Sequence, residues 1–260
     1  MKKVIATFTL LLCLLLISLN TIAANDNLEV KDKNGTTVNI EELKKSLNYQ
    51  TTIDRYSIDK LLDYANIQQM DKKLIDFVKP WNDLISLSAT ATTYGCAWPY
   101  SAINTASPNC YGYAMAFNFA LNPGDLSNPN GALPPGYTQS QIRSYFDVNN
   151  IANNVVADLQ KLYRTARFIT SATSTISSSE RRIAVRTGMH DFDGDGSILQ
   201  EYGEADYHFM LQHSNGDWSE KHGSNPSIND GQINPSTFSW NAAGYSNYYN
   251  SATVYIAVSN

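Results

Sequence analysis

Cys110 and His208 are the residues of this 260-residue chain whose types and settings best suit covalent chemistry. Cys110 follows Ser107-Pro-Asn109, residue types that open helices because they satisfy or dispense with the unpaired N–H groups there. A thiol at a helix start lies near those N–H groups and the positive end of the helix dipole, which lowers its pKa and favours the thiolate. A nucleophilic thiol also needs a base. His190, His208, His213 and His222 are the histidines available. His208 sits between Tyr207 and Phe209 on a predicted strand, which would hold its ring on a rigid element, whereas His213 and His222 read as exposed hairpin residues.

A second stretch, Asp191-Phe-Asp-Gly-Asp-Gly-Ser-Ile-Leu-Gln-Glu-Tyr202, has Asp at its first, third and fifth positions and Gly at its sixth. Hard cations take oxygen ligands, and Gly196 permits the sharp turn that lets Asp191, Asp193 and Asp195 converge, as in a calcium loop. Tyr202 stands at the twelfth position, where a bidentate Glu belongs, and Glu201 and Glu204 are displaced from it. The flanks read as strands, so the expectation is an isolated, weak structural Ca2+ site set against a plain solvated acidic turn.

The N-terminus bears on the compartment. Lys2 and Lys3 precede an apolar run over 4–19, and small Ala23 and Ala24 stand before polar Asn25-Asp-Asn27. That order reads as a signal peptide over 1–24, cleaved after Ala23 or Ala24. A secreted, extracellular protein is the expectation, and no later segment is apolar enough to span a membrane. Removing 1–24 leaves 17 basic against 24 acidic side chains, a net charge of −7, which argues against a nucleic-acid partner. About 235 remaining residues can bury one sizeable core.

Two cysteines remain, Cys96 and Cys110. In an oxidising compartment a disulfide between them competes with the catalytic reading; it would close a loop of about 15 residues and stabilise by roughly 3 kcal/mol. Under that alternative the protein is a non-catalytic binding or toxin-like module with a structural calcium loop.

Several elements must position these groups. Residues 25–50 are polar and 53–79 recur at helical spacing until Pro80, so 25–90 reads as a partly helical propeptide or cap. Residues 86–108 read as loop, 111–121 as a buried helix, 122–137 as a Pro- and Gly-rich surface loop, and 138–168 as a second helix. Strand patterns follow at 182–187, 206–213, 217–222 and 252–258, with Asn215-Gly216 as a hairpin signal. Helices first and an antiparallel sheet afterwards predict an α+β domain over 91–260.

Asn109-Cys110-Tyr-Gly-Tyr-Ala114, the Asn122-Pro-Gly124 loop and Asp206-Tyr-His-Phe…Asn215-Gly-Asp-Trp-Ser-Glu-Lys221 together resemble the papain-like cysteine hydrolases, especially the bacterial branch of NlpC/P60 and CHAP enzymes. More narrowly, the chain resembles secreted bacterial proteins with paired Cys-Tyr-x-Tyr-Ala and Tyr-His…Trp-Ser motifs. The resemblance covers about 94–258 and implies a papain-like layout, Cys110 as nucleophile and His208 as base. It implies cleavage of an amide bond in a peptide, protein or peptidoglycan substrate through a Cys thioester. The family's third residue falls on Glu220, where His is the usual type. A two-residue Asn215-Gly216 turn would place Ser219 and Lys221, not Glu220, on the face of His208, so Glu220 needs a bulge to serve, with Asp206, Asn229 and Asn234 as substitutes. The Cys110 N–H is the first oxyanion donor implied, and Asn104 a candidate second. The C-terminal tyrosines carry no assigned function.

Overall fold

A computed structural model describes residues 30–48, 51–68 and 99–259. The signal segment 1–24, Cys96 and the last part of the helical pattern at 53–79 lie outside these residues.

The chain opens with a small hairpin, β1 (Val30–Lys31) and β2 (Thr37–Val38), followed by helix α1 (Ile40–Ser46) and helix α2 (Arg55–Gln68). Asn39 caps α1 by accepting from the Glu41 and Glu42 N–H groups. Next come α3 (Cys110–Ala114), α4 (Gln139–Tyr145) and α5 (Val148–Lys161). The long helix expected at 138–168 is two helices that end at Lys161, and its last residues, from Ala166, form a strand instead. Thr138 and Gln141 form a capping box on α4, and Asp147 caps α5 through the Asn149 and Asn150 N–H groups, which breaks the run between them.

Six strands follow: β3 (Ala166–Ile169), β4 (Glu180–Met189), β5 (Ala205–Gln212), β6 (Trp218–Lys221), β7 (Ser227–Gly231) and β8 (Val254–Ser259). They pair in one antiparallel sheet ordered β3-β8-β4-β5-β6-β7, so the α+β class stands. Both faces are covered, which is why β4 and β5 are buried almost along their length. On one face Ile183, Val185, Phe209, Leu211, Ile256 and Val258 pack with Ile151, Val155 and Leu159 of α5. On the other, Ala184, Met210, Trp218 and Tyr255 meet Leu43, Leu47, Trp240, Tyr248 and Tyr249. The tyrosine-rich C-terminal stretch is thus core covering, and α1 belongs to the same layer.

The helix expected at 111–121 stops at Ala114. Ala116 takes a left-handed φ of 60° and the chain doubles back. A Cβ on Gly112 would stand 2.2 Å from the Phe119 carbonyl oxygen, so only glycine admits this return. Buried Asn109 fastens it: its Oδ1 accepts from the Gly112 and Leu121 N–H groups, and its Nδ2 donates to the Leu121 carbonyl.

The β5–β6 turn corrects the expected register. His213 N–H donates to the Asp217 carbonyl at 2.8 Å, and Gly216, at φ +90°, donates to the His213 carbonyl. The loop therefore has three residues, 214–216, and Met210 pairs with Glu220. Glu220 reaches the face of His208 without the bulge that a two-residue turn would have demanded.

Candidate active site

His208 extends from β5 into the aromatic layer, wholly buried beneath Tyr249, whose ring stacks on it at 4.8 Å, and edge-on to Trp240 at 6.0 Å. Its Nε2 lies 2.9 Å from Glu220 Oε2. His222 Nε2 lies 2.9 Å from Glu220 Oε1, and the two imidazoles stack with centroids 4.1 Å apart. His222 is therefore no exposed hairpin residue. His213 is buried too, with Nε2 2.6 Å from Ser219 Oγ.

Burial alone would raise the Glu220 carboxyl, but the His222 charge and the bonds from both rings hold it well below the usual range. Burial and the neighbouring His222 charge push His208 down to about 4. Burial opposes protonation of His222 as well, yet the Glu220 charge raises it. Of the two rings, His222 is thus the one that the Glu220 charge favours in its protonated form, while His208 is held neutral. An ionised carboxylate only accepts, so His208 Nε2 carries the hydrogen and Nδ1 keeps its lone pair. That Nδ1 is buried and has no hydrogen-bond partner among the described residues.

His208, Glu220 and His222 bring three ligand atoms within 4.8 Å of one another. Their geometry nonetheless suits a clamped carboxylate better than a metal ion. The ring planes differ by only 12° and lie one over the other, so their in-plane lone pairs do not converge on one point. A ligating imidazole also ordinarily gives its other N–H to an acceptor, and Nδ1 of both rings lacks one among the described residues.

Cys110 is a free, fully buried thiol. It approaches β5 where β6 has parted from it: Sγ lies 3.7 Å from the Tyr207 carbonyl oxygen, one residue before His208. No hydrogen bond joins Sγ to His208 Nδ1. The expected lowering of the thiol pKa is corrected as well. Burial pushes Cys110 well above its ordinary range and the Asp206 charge adds to this, against smaller opposing effects of the Phe209 N–H, Asn48 and Lys221. The dipole of a five-residue helix does not outweigh full burial.

Asn48, just beyond α1, covers Cys110, and sequence reasoning missed it. Its Oδ1 accepts the Cys110 N–H at 3.3 Å. Its Nδ2 donates to the Tyr207 carbonyl at 2.7 Å and to Asp206 Oδ2 at 3.1 Å, and its backbone N–H reaches the same carboxylate. Asp206 also accepts from the Tyr249 hydroxyl at 2.9 Å; burial pushes its pKa up to about 7 despite these bonds. Lone Asn residues in polar stretches carry no sequence signal of this kind. The other substitutes lie elsewhere: Asn229 donates to Asp217, and Asn234 accepts from Ser236. Asn104 is exposed on its loop.

The acidic loop stands apart and is exposed. Asp191, Asp193 and Asp195 come within 4.8 Å of one another, with one oxygen of each taking a loop N–H. Glu204 braces the loop from inside by accepting from the Phe192 and Leu199 N–H groups, and Glu201 accepts from Tyr137. Neither supplies the bidentate ligand missing at Tyr202, so the residues fit a cation with three carboxylates and an incomplete shell.

No family model, curated protein or solved structure matches the chain.

Proposed function

We propose that this chain is an exported cysteine hydrolase of papain-like layout. Cys110 attacks an amide carbonyl, His208 Nδ1 takes the thiol proton and returns it to the leaving amine, and Glu220 fixes the imidazole tautomer. The Cys110 N–H serves the developing oxyanion. Substrates are peptides, proteins or peptidoglycan stems, and no nucleic acid is involved. The observation that carries this reading is the 2.9 Å bond from His208 Nε2 to Glu220, which leaves the buried Nδ1 lone pair unpartnered among the described residues, while the Cys110 sulfur, in the core cluster on the other face of β5, lies 3.7 Å from the carbonyl of the preceding residue, Tyr207. None of the described helices is long and apolar enough to cross a membrane. The Asp191–Asp193–Asp195 loop is proposed to bind calcium weakly and structurally, outside the chemistry.

A second reading, a non-catalytic binding module, is favoured by the complete burial of Cys110 and the lack of a hydrogen bond between it and His208. Alkylation of Cys110 by iodoacetamide separates the two. In the full chain, and in its Asn48→Ala variant with the cover removed, alkylation is expected to slow by about tenfold or more when His208 becomes Ala. Equal rates with and without His208 would leave the binding module.

A further inference from the structure

We propose that the Cys110 N–H, the Asp206 carboxylate and the Tyr207 carbonyl form a recognition site for a primary carboxamide, so that the reaction is hydrolysis of an Asn or Gln side-chain amide to the acid with release of ammonia. This rests on the reading of Cys110 and His208 as nucleophile and base, and it names the substrate class of that site.

Asn48 displays the fit. Its amide nitrogen faces three acceptors, Asp206 Oδ1 at 3.3 Å, Asp206 Oδ2 at 3.1 Å and the Tyr207 carbonyl at 2.7 Å. Its amide oxygen faces one donor, the Cys110 N–H at 3.3 Å. Exchanging the two atoms would set NH2 against N–H and oxygen against carboxylate, so the orientation is fixed by chemistry. Asn48, Asp206 and Cys110 are all essentially buried, so mismatches there are not relieved by water.

Among carbonyl groups only a primary amide offers one acceptor and two N–H donors from a single planar unit. A backbone amide has one N–H and a carbon where the second should be. A carboxylate sets an oxygen against ionised Asp206, so the acid product is expelled. Helix α3 contributes one N–H; the selectivity comes from the acceptors. The fully buried Nδ1 of His208, the residue after Tyr207, is unpartnered among the described residues and is assigned as the proton acceptor that the reaction needs.

The steps balance with water as co-reactant. The Cys110 sulfur forms a bond to the amide carbon as its proton passes to His208 Nδ1, and the carbonyl oxygen takes the electron pair beside the Cys110 N–H. The carbon–nitrogen bond then breaks, with the proton on Nδ1 delivered to the departing NH2 to give ammonia. Water attacks the thioester and gives a proton to His208. The sulfur–carbon bond breaks, the acid leaves and the thiol re-forms. The N-terminal segment therefore carries an internal substrate mimic, which a true substrate must displace.

Iodoacetamide and iodoacetate carry the same reactive carbon and differ only in ending as a carboxamide or a carboxylate. In full-length Asn48→Ala, the ratio of their alkylation rates at Cys110, each divided by the rate with glutathione, is expected to favour iodoacetamide by about tenfold or more. Adding Asp206→Ala is expected to erase most of that preference. The unaltered chain, followed for hours as the Asn48 contact opens transiently, must show the same preference, so the test survives misfolding of a variant. With casein as substrate, ammonia is expected without new amino termini. New amino termini without ammonia, or a ratio near one, overturns the carboxamide assignment while His208-dependent alkylation keeps the hydrolase. Alkylation indifferent to His208 overturns both.

Discussion

His208 and Glu220, twelve residues apart on neighbouring strands, share a 2.9 Å hydrogen bond in a site where both side chains are buried. The second oxygen of Glu220 takes His222 in the same way, so the carboxylate fixes two rings at once. Glu220→Gln replaces one acceptor by a donor, and with the new NH2 group turned to His208 that ring must carry its hydrogen on Nδ1, where it blocks the base. In the Asn48→Ala background the expected result is Cys110 alkylation slowed by about tenfold or more. Imidazole 15N shifts separate this from loose packing, because only a change of tautomer converts Nδ1 to the protonated type.

Asp206 makes stability depend on pH in a direction unusual for a carboxylate. Its folded pKa is raised from 3.8 to about 7, so between these values the folded chain holds a proton that the unfolded chain has released. Its contribution is fully present below the unfolded value and is lost as pH rises through about 7. Lowered His208 and Glu220 act oppositely, so the effect must be read as a difference. The stability of the unaltered chain relative to Asp206→Asn is expected to be greater at pH 5 than at pH 8, by at most about 3 kcal/mol, in urea unfolding. A difference independent of pH would place the ionised carboxylate in the folded state throughout.

Asp158 holds the Cys110 helix from behind. Within α5 it accepts from the Tyr111 hydroxyl at 2.9 Å and from the Gly124, Leu126 and Ser127 N–H groups and the Ser127 hydroxyl. Asp158→Asn turns one of its oxygens into a donor facing donors. A loss of about 3 kcal/mol is expected in denaturant unfolding, because buried groups are left unpaired. Asn109→Ala removes the cap of α3 and the fastening of Leu121, for which about 1–2 kcal/mol is expected.

These elements divide according to how local their causes are. β4, β5 and β8 follow runs of apolar and β-branched residues, and α5 follows its Val148, Ile151, Val155 and Leu159 spacing, so their sequence patterns suffice. β7 lies in Ser-, Asn- and Gly-rich text and β3, Ala-Arg-Phe-Ile, continues a helical pattern in the sequence; both are at the sheet edges, where pairing partners supply the order that local propensity does not. Ala114 ends its helix because distant Phe119 and Leu121 return onto it. The hairpin register turned on one residue of loop length, and that residue decided whether Glu220 reached His208. Asn48 was illegible because its role is set by a contact 62 residues away.

The acidic loop makes a separate prediction. Asp191, Asp193 and Asp195 repel one another across less than 4.8 Å, and a divalent cation would relieve this. Millimolar calcium is expected to raise the melting temperature and protect 191–197 from proteolysis, with both effects absent in Asp193→Asn and Asp195→Asn together. No change in either measurement would leave a solvated acidic turn braced by Glu204.

Asn48→Asp tests how the N-terminal segment is held over Cys110. The substituted carboxylate stands against Asp206 and the Tyr207 carbonyl, where the amide NH2 now donates, so attraction becomes repulsion in a buried setting. At pH 8, with Asp206 ionised, the segment is expected to detach: Cys110 alkylation accelerates by about tenfold, and residues 46–48 become sensitive to protease. At pH 5 Asp206 carries its own proton and can donate to the new carboxylate, so the two chains should converge in both measurements. Merely damaged packing gives no such recovery, because lost volume does not return when a proton is added. Equal acceleration at the two pH values would mean that Asn48 matters for its shape and not for the charge it faces.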